Sequence, residues 1–317
     1  MSSIPYLDAA TVNRLLAWPA LIDALRAAFI APPIAPPRTA ISYGEHGDRH
    51  FLVMPAVNPE GLIGVKLVSV HPALAARPGG AVRGLYVALD AATGEPRALI
   101  DGPALTERRT AAASVLAART LARALVEPAA SVLLVAGTGQ VAHALCRCYA
   151  EVVRPQRIMV WGRRSEAAEA LAARLAAEGI SAEPVRDLGE AVRAADIVSV
   201  ATLSTAPLIR GADVRPGTHI DLVGGFTPSM READDALAAR AVIVADGPGA
   251  LETAGDLTQP IAAGLVDRAT VKLLDDILAG RAEGRRNDDE ITLFKSVGLA
   301  LEDLAAAELL LARWRAP

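Results

Sequence analysis

The sequence predicts an α/β fold with two domains, one of which is a doubly wound parallel sheet. From residue 131 onward, short apolar strands alternate with helical segments, and strands are expected at 131–136, 157–161, 182–185, 196–201, 218–223 and 241–245. Such alternation is typical of a parallel sheet whose strands are joined by helical crossovers. The first third of the chain follows a different pattern, and 317 residues are enough for two domains that each bury a core.

The first third mixes helices with strands that are close enough in sequence to pair antiparallel. Helices are expected at 9–16 and 19–29, and the proline-rich segment 31–37 is expected to be an extended loop. The predicted strands are 51–54, 61–70, 84–90 and 96–100. The last two flank a turn that is too short for a crossover, which predicts a hairpin.

A long alanine-rich helix, 105–125, connects this region to the alternating one. A last helix, which ends near Trp314, lies outside the alternation, and we expect it to pack on the first domain. The first domain is therefore predicted to be discontinuous and to comprise residues 1–117 and 292–317. Residues 118–291 form the second domain in this interpretation.

A glycine-rich turn follows the first strand of the alternating segment. Residues 132–142 read V-L-L-V-A-G-T-G-Q-V-A, an apolar strand that runs into G-x-G-x-x-A and a helix. Glycine at 137 permits the tight turn, glycine at 139 lets backbone approach a phosphate, and Ala142 allows close helix–strand packing. This is the dinucleotide signature of a Rossmann domain, with the pyrophosphate at the helix N-terminus. The predicted cofactor-binding residues are Gly137, Thr138, Gly139, Gln140 and Val141.

The end of the next strand predicts the type of cofactor. An NAD-selective site places an acidic residue about 20 residues after the glycines, where it binds the ribose 2′-hydroxyl. This chain has Arg163 and Arg164 there, followed by Ser165. Two cations suit a 2′-phosphate, so NADPH is predicted, with NADH less preferred. The alternative is that the two arginines are a solvated surface.

The bulk composition excludes several classes of protein. A net charge of −4 argues against nucleic-acid binding, and no apolar run approaches the roughly 20 residues that span a bilayer. The first residues do not resemble a signal peptide. The two cysteines, Cys146 and Cys148, are spaced two apart on a predicted helix, which disfavours a disulfide and fits a cytoplasmic protein. His46 and His50 are four residues apart, but they lie in a predicted loop with no further ligands nearby, so no metal is expected.

Three cations of the first domain are candidates for binding a carboxylate. Arg38 ends the proline loop, and Arg109 lies near the start of the long helix. Lys66 lies inside a strand, where alternation puts it on the face opposite Val65 and Leu67. If the three converge, they bind a substrate carboxylate, and Lys66 also has a proton to donate. The alternative is that each is an ordinary surface charge.

These motifs resemble the ornithine cyclodeaminase/mu-crystallin family over essentially the whole chain. The matching segments are Pro37-Arg38, Met54-Pro55, Gly64-Val-Lys66, Thr93-Gly-Glu95, the motif L-T-x-x-R-T-A-A at 105–112, the glycine turn at 137–142, and T-x-F-K-S-V-G at 292–298. The resemblance implies a homodimer whose subunits join through the substrate domain. It also implies that Arg38, Lys66 and Arg109 hold the substrate carboxylate against the nicotinamide.

One position separates the reactions of this family. The cyclodeaminases carry an aspartate after the strand that ends in V-G-G, and this chain has Phe226 there. A phenyl ring cannot transfer a proton or hold an ammonium by charge, which disfavours cyclodeamination. The segment G-F-T-P-S-M-R-E is similar to the branch of Δ1-pyrroline-2-carboxylate and Δ1-piperideine-2-carboxylate reductases.

The resulting prediction is an NADPH-dependent reductase of cyclic ketimines that forms L-proline in amino-acid breakdown, with L-pipecolate left open as a second product. Lys66 is the predicted catalytic residue. The predicted substrate-binding residues are Arg38, Met54, Lys66, Arg109 and Phe226. Further cofactor contacts are expected at Thr110, Thr202 and Ser296, whereas Asp221 and Glu232 are expected just behind the site.

Four alternatives stay open at this point. One is an alanine-dehydrogenase-like enzyme that aminates an open-chain keto acid. Two are lyases, namely an ornithine cyclodeaminase and a hydroxyproline dehydratase, and Phe226 speaks only against the first. The last is a protein that binds NADPH and a carboxylate without turnover, against which the three cations weigh because a binder does not need all of them.

Overall fold

The computed structural model describes residues 4–45, 47–74, 77, 80–123 and 131–315. The chain divides into two compact units, Met1–Arg109 with Leu299–Pro317, and Thr110–Gly298. Among the described helices, none combines the length and the apolar character that a bilayer-spanning segment requires. His46 and the last two residues of the predicted helix 105–125 lie outside the described residues.

The first unit contains a six-stranded sheet with the order β1-β6-β5-β4-β3-β2. Its strands are β1 (Tyr6–Leu7), β2 (Thr39–Tyr43), β3 (Arg49–Val57), β4 (Leu62–Val70), β5 (Val82–Asp90) and β6 (Pro96–Asp101). Strands β2 to β6 pair antiparallel in succession, and β1 is parallel to β6. The predicted hairpin of β5 and β6 is confirmed. The helices are α1 (Ala9–Leu15), α2 (Trp18–Ile30), the first part of α3 (Gly102–Leu121) and α11 (Ala300–Arg315).

The two faces of this sheet differ in burial, although both are apolar. Helix α11 packs on β3 and β4 and on α2, and it covers one face. On that face, a cross-strand row runs through Met54, Lys66, Tyr86 and Ile100, all of them buried. The opposite face carries partly exposed apolar side chains, among them the row Pro55, Val65, Val87 and Leu99. The strands therefore present hydrophobic residues on a face that α11 does not cover.

The second unit contains an eight-stranded sheet, and every strand pair in it is parallel. Its order is β13-β12-β14-β11-β10-β7-β8-β9. The strands are β7 (Val132–Ala136), β8 (Arg157–Trp161), β9 (Glu183–Val185), β10 (Ile197–Val200), β11 (His219–Leu222), β12 (Ala241–Ala245), β13 (Lys272–Leu273) and β14 (Ile291–Lys295). The helices between them are α4 (Gln140–Val152), α5 (Ser165–Ala177), α6 (Leu188–Ala194), α7 (Asp235–Arg240), α8 (Ala250–Thr253), α9 (Gly255–Ala262) and α10 (Leu274–Leu278). The predicted doubly wound parallel sheet is confirmed.

The unit boundaries differ from the sequence prediction at both places where the chain crosses between units. Strand β14 lies between β11 and β12 and pairs with both, so residues 292–298 belong to the second unit and not to the first. The other crossing falls after Arg109, inside α3, and not after residue 117. The acidic run at 288–290 hides the alternation before β14, and a continuous helix carries no sequence mark of a domain boundary.

Candidate active site

The first group of candidate residues lies on the buried face of the six-stranded sheet. Lys66 lies in the middle of β4, and its neighbours Val65 and Leu67 are partly exposed on the other face. The strand register pairs Lys66 with Met54 of β3, so the two side chains share a face. Their exposed fractions are 1% and 3%. The predicted alternation of this strand is confirmed, and Lys66 lies inside the protein.

A buried carboxylate holds Lys66 and Arg109 together. Asp303 of α11 accepts hydrogen bonds on Oδ1 from Lys66 Nζ at 2.8 Å and from Arg109 Nε at 3.1 Å. Its other oxygen, Oδ2, is also 2.8 Å from Lys66 Nζ. Arg109 Nη1 donates to Glu302 Oε2 at 2.7 Å. The structure therefore brings two of the three predicted cations together, in contact with two carboxylates that the sequence prediction did not include.

The charges of this buried cluster balance, because two cations face two carboxylates in a region that excludes water. Burial lowers the pKa of Lys66, and the nearby Arg109 lowers it further. The Asp303 carboxylate opposes both effects, and the pKa of Lys66 lies at about 8. An amine with this pKa exchanges its proton close to neutral pH, as expected of a group that transfers a proton.

Arg38 lies farther from this cluster in the sheet. It immediately precedes β2, whose first residue Thr39 pairs with Val53, next to Met54. Arg38 is half-buried and stands two strands away from Lys66 in the sheet.

Tyr86 explains the glycine in the motif Gly64-Val-Lys66. Tyr86 of β5 pairs with Lys66 and is 1% exposed. A Cβ atom on Gly64 would lie 1.8 Å from Tyr86 Oη, so only glycine leaves room for the phenol. Burial raises the pKa of Tyr86 well above its ordinary value, and its hydroxyl has no hydrogen-bond partner among the described residues. The glycine is thus required by packing.

The second group lies at the carboxyl ends of the parallel strands of the second unit. The turn from β7 into α4 comprises Gly137, Thr138 and Gly139, and Gln140 and Val141 are the first residues of α4. Gly137 has a φ of 138°, and a Cβ there would lie 2.4 Å from Ala201 O, so this position requires glycine. A Cβ on Gly139 would meet no atom within 4 Å. Open space in front of a helix N-terminus fits the pyrophosphate of a dinucleotide.

Arg163 and Arg164 follow β8, which is the neighbour of β7 in the sheet. Both side chains are exposed, and neither takes part in any hydrogen bond or ion pair found among the described residues. Ser165 is the first residue of α5, a helix of 13 residues with no side-chain cap at its N-terminus. Two exposed cations and a helix N-terminus therefore meet beside the glycine turn, an arrangement that suits an anion.

Glu232 joins the loops that follow β10 and β11. Its Oε1 accepts from the backbone N and the Oγ1 of Thr202 at 2.7 and 2.9 Å. Its Oε2 accepts from the backbone N of Gly224 and Gly225 at 3.0 and 3.2 Å. The next residue is Phe226, which is half-buried. Glu232 therefore joins Thr202 to the backbone that immediately precedes Phe226, and the Thr202 hydroxyl donates its hydrogen within the protein.

A buried lysine supports Glu232 from β14. Lys295 Nζ lies 2.9 Å from Asp256 Oδ2 and 3.7 Å from Glu232 Oε2. The other Asp256 oxygen accepts from the backbone N of Glu232 at 2.7 Å and of Ala233 at 3.1 Å. Burial raises the pKa of Glu232, and the nearby Lys295 lowers it. These contacts make the carboxyl edge of the sheet a connected polar network.

The other two predicted cofactor contacts are also buried. Ser296 Oγ donates to Asp246 Oδ2 at 2.9 Å, and the same oxygen accepts from the backbone N of Val297 and Gly298, both at 2.7 Å. The Ser296 hydroxyl hydrogen is thus used to fix the loop after β14. Thr110 is buried in α3 at 6% exposure.

Asp221 lies deeper, in the middle of the sheet. It is fully buried in β11, and Tyr149 of α4 donates to its Oδ2 at 2.6 Å. Burial raises the pKa of Asp221 to about 7, although the nearby Ser199 hydroxyl and the hydrogen bond from Tyr149 oppose this effect. Asp221 therefore connects the sheet to the helix that follows the glycine turn.

Sequence reasoning missed four charged residues of these networks: Glu302, Asp303, Lys295 and Asp256. Three of these four residues have a recognisable signal in the sequence. Glu302 and Asp303 are adjacent acids in a helix that is otherwise rich in alanine and leucine, and Lys295 ends an apolar strand. Asp256 has no such signal. Within the described residues, no group of three or more His, Cys, Asp or Glu is arranged to hold a metal ion.

Comparison with known proteins identifies the family of this chain. The sequence model of the ornithine cyclodeaminase/mu-crystallin family matches residues 6–317. The chain belongs to the ornithine cyclodeaminase/mu-crystallin family. The match includes every residue of both groups described above, so the resemblance drawn from the motifs is confirmed.

Within this family, the relatives that match most of the chain include reductases. The Δ1-pyrroline-2-carboxylate reductase of Paracoccus denitrificans is 44% identical over 254 residues, which cover 78% of each chain. The solved structure of the Thermococcus litoralis Δ1-pyrroline-2-carboxylate reductase, in complex with NADH and L-proline, is 31% identical with a TM-score of 0.91, and the match covers 98% of this chain and 97% of that one. An archaeal alanine dehydrogenase dimer with bound NAD is 27% identical with a TM-score of 0.88, covering 98% of this chain and 95% of that one.

Proposed function

We propose that this chain reduces cyclic α-imino acids with a nicotinamide cofactor, and that Δ1-pyrroline-2-carboxylate is its substrate and L-proline its product. The observation that carries the proposal is the meeting of Lys66 and Arg109 on one buried carboxylate. A cyclic ketimine has a carboxylate on the carbon that is reduced, and its nitrogen must gain a proton. The cluster offers a guanidinium for the carboxylate and an amine for the proton.

The residues of the first unit divide these tasks. Arg109, together with Arg38 at the start of β2, binds the substrate carboxylate. Lys66 in its charged form donates a proton to the imine nitrogen, and Met54 lines the same face. Asp303 and Glu302 balance the two cations, so the buried site can hold Lys66 and Arg109 in their charged forms without a net charge.

The residues of the second unit fit a nicotinamide dinucleotide. The turn Gly137–Val141 would hold the pyrophosphate, Arg163, Arg164 and Ser165 the 2′-phosphate, and Thr110, Thr202 and Ser296 the part nearer the nicotinamide. When bound, the cofactor supplies a hydride to the imine carbon. Phe226 adds an apolar surface for the ring and no acid–base group, which favours reduction over cyclodeamination. The first unit is thus proposed as the substrate-binding and dimerisation domain and the second as the cofactor domain.

A single assay tests the reaction. NADPH absorbance is followed with Δ1-pyrroline-2-carboxylate, and separately with pyruvate plus ammonium. We expect oxidation with the imine alone. Turnover only with pyruvate and ammonium would assign an alanine-dehydrogenase type of reaction, and ammonia release from ornithine would assign a cyclodeaminase. Binding of NADPH with no turnover would leave the hydroxyproline dehydratase or a binding protein.

The preference for NADPH is a separate part of the proposal. The exposed Arg163 and Arg164 support it, whereas the Thermococcus litoralis relative was solved with NADH. We expect the double variant R163D/R164S to lower the ratio of kcat/KM for NADPH to that for NADH by about tenfold or more, since hydrogen bonds to charged groups contribute about 1.5–3 kcal/mol each. Arg157→Ala is the control, because Arg157 begins β8 and pairs with Glu183. An unchanged ratio in the double variant would refute the assignment.

A further inference from the structure

Asp303 is the common partner of the two cations that the proposed function assigns to the substrate. One of its oxygens accepts from both Lys66 Nζ and Arg109 Nε, and the carboxylate has no exposed surface. It lies in the first turn of α11, where the partial positive charge of a helix N-terminus favours an anion. The neighbouring Glu302 contacts Arg109 through the other side of the guanidinium, at Nη1. The two acids thus share Arg109, whereas the ion pair to Lys66 is made by Asp303.

We propose that Asp303 is a positioning residue, which holds Lys66 and Arg109 at a fixed separation and keeps Lys66 charged so that it can protonate the imine. The inference rests on the proposed function for the identity of the substrate. In this role, Asp303 of α11 acts through Lys66 and Arg109 and does not need to contact the substrate.

The groups that face Lys66 have opposite effects on its pKa. Burial between the sheet and α11 disfavours the charged amine, and Arg109 from α3 adds repulsion. Asp303 and, more weakly, Glu302 from α11 favour the charge. From the strands, Tyr86 of β5 is the titratable neighbour, and burial keeps it neutral by raising its pKa. Without Asp303, burial and Arg109 would dominate and Lys66 would lose its proton at lower pH.

The composition of the chain makes this protonation directly measurable. The sequence contains three lysines, at positions 66, 272 and 295. Biosynthetic labelling with lysine that carries ¹³C at the ε-carbon therefore gives three side-chain signals, and the chemical shift of this carbon follows deprotonation of the amine. Lys66→Met assigns the Lys66 signal by its loss. The titration needs neither substrate nor cofactor.

Three variants separate the role of Asp303 from a general effect on the cluster. We expect Asp303→Asn to lower the Lys66 titration midpoint by about 1–3 pH units, the usual effect of an opposite charge at this distance. Glu302→Gln is the matched control, since it removes the adjacent acid but keeps the contact of Asp303 with Lys66. The Lys66 midpoint in this variant should stay close to that of the wild type. Asp303→Glu keeps the negative charge, so the Lys66 midpoint in this variant should lie much closer to that of the wild type than the midpoint in Asp303→Asn.

The activity assay then links protonation to turnover. We expect kcat for the imine to fall at alkaline pH as Lys66 deprotonates, and D303N to move this fall to lower pH by the same amount as the titration. A Lys66 midpoint that D303N leaves within a few tenths of a pH unit would overturn the inference. If D303N does not fold, a wild-type Lys66 midpoint below neutral pH would overturn the inference equally, because the amine would then be uncharged in spite of Asp303. If no imine is reduced, the proposed function fails, while the titration still decides whether Asp303 keeps Lys66 charged.

Discussion

Two arginines that are adjacent in sequence have different surroundings and should have different roles. Arg109 contacts Asp303 and Glu302, whereas the Arg108 guanidinium lies 3.7 Å over the ring of Trp18. We expect Arg109→Ala to lower kcat/KM for the imine by the equivalent of about 2–5 kcal/mol, the cost of truncating one partner of a buried charge pair. Arg108→Ala should lower the melting temperature and leave kcat/KM near that of the wild type. Equal losses of kcat/KM in both variants would refute the role of Arg109.

Asp221 should make stability depend on pH. Its pKa in the folded protein, about 7, lies above the ordinary value of 3.8, so the folded state retains a proton that the unfolded state releases. This stabilisation is complete below pH 3.8 and is lost as the pH rises through 7. The loss is about 1.4 kcal/mol per pH unit for one proton. We expect urea unfolding of Asp221→Asn to lack this decline, and parallel curves for variant and wild type would contradict the assignment.

At the scale of secondary-structure elements, two glycines illustrate different constraints. A methyl group at Gly64 would collide with Tyr86 between β4 and β5, whereas one at Gly139 would project into open space before α4. We expect Gly64→Ala to destabilise the protein by about 1–3 kcal/mol, as overpacked cores do. Gly139→Ala should unfold at the wild-type temperature and bind NADPH more weakly. Calorimetry and cofactor titration on both variants check the pair, and the reverse pattern would show that the glycine turn serves only the fold.

The elements differ in how well the sequence predicts them. Most strands of the parallel sheet are apolar runs between turn residues, and such runs predict β7, β8, β10, β11 and β12 because these strands are largely buried on both faces. Strand β2 was missed because all its residues are exposed and no alternation marks it. The ion pair of Lys66 with Asp303 joins residues 237 apart in sequence. Local patterns reveal the cations, but not the carboxylates that a distant helix places against them.

At the scale of the whole molecule, the partly exposed face of the six-stranded sheet supports the proposed homodimer. Its row Pro55, Val65, Val87 and Leu99 is apolar, and large apolar faces usually mark an interface. We expect light scattering to give a dimer for the wild type and a monomer for Val65→Asp. Leu265→Asp is the control, since Leu265 is an exposed apolar residue of the second unit, 48% accessible. A dimer that survives Val65→Asp would place the interface elsewhere.

The burial of Lys66 and Lys295 has a practical consequence for covalent labelling. Of the three lysines, these two are at most 1% exposed and are engaged by carboxylates, while Lys272 is half-buried and donates to the Glu283 carbonyl. Reagents that acylate amines should therefore modify the folded chain at Lys272 before the other lysines. Unfolding exposes all three, so the number of acyl groups added per chain, read by intact mass, becomes a measure of the unfolded fraction. A dye or tether attached through Lys272 would also leave the proposed catalytic lysine unmodified.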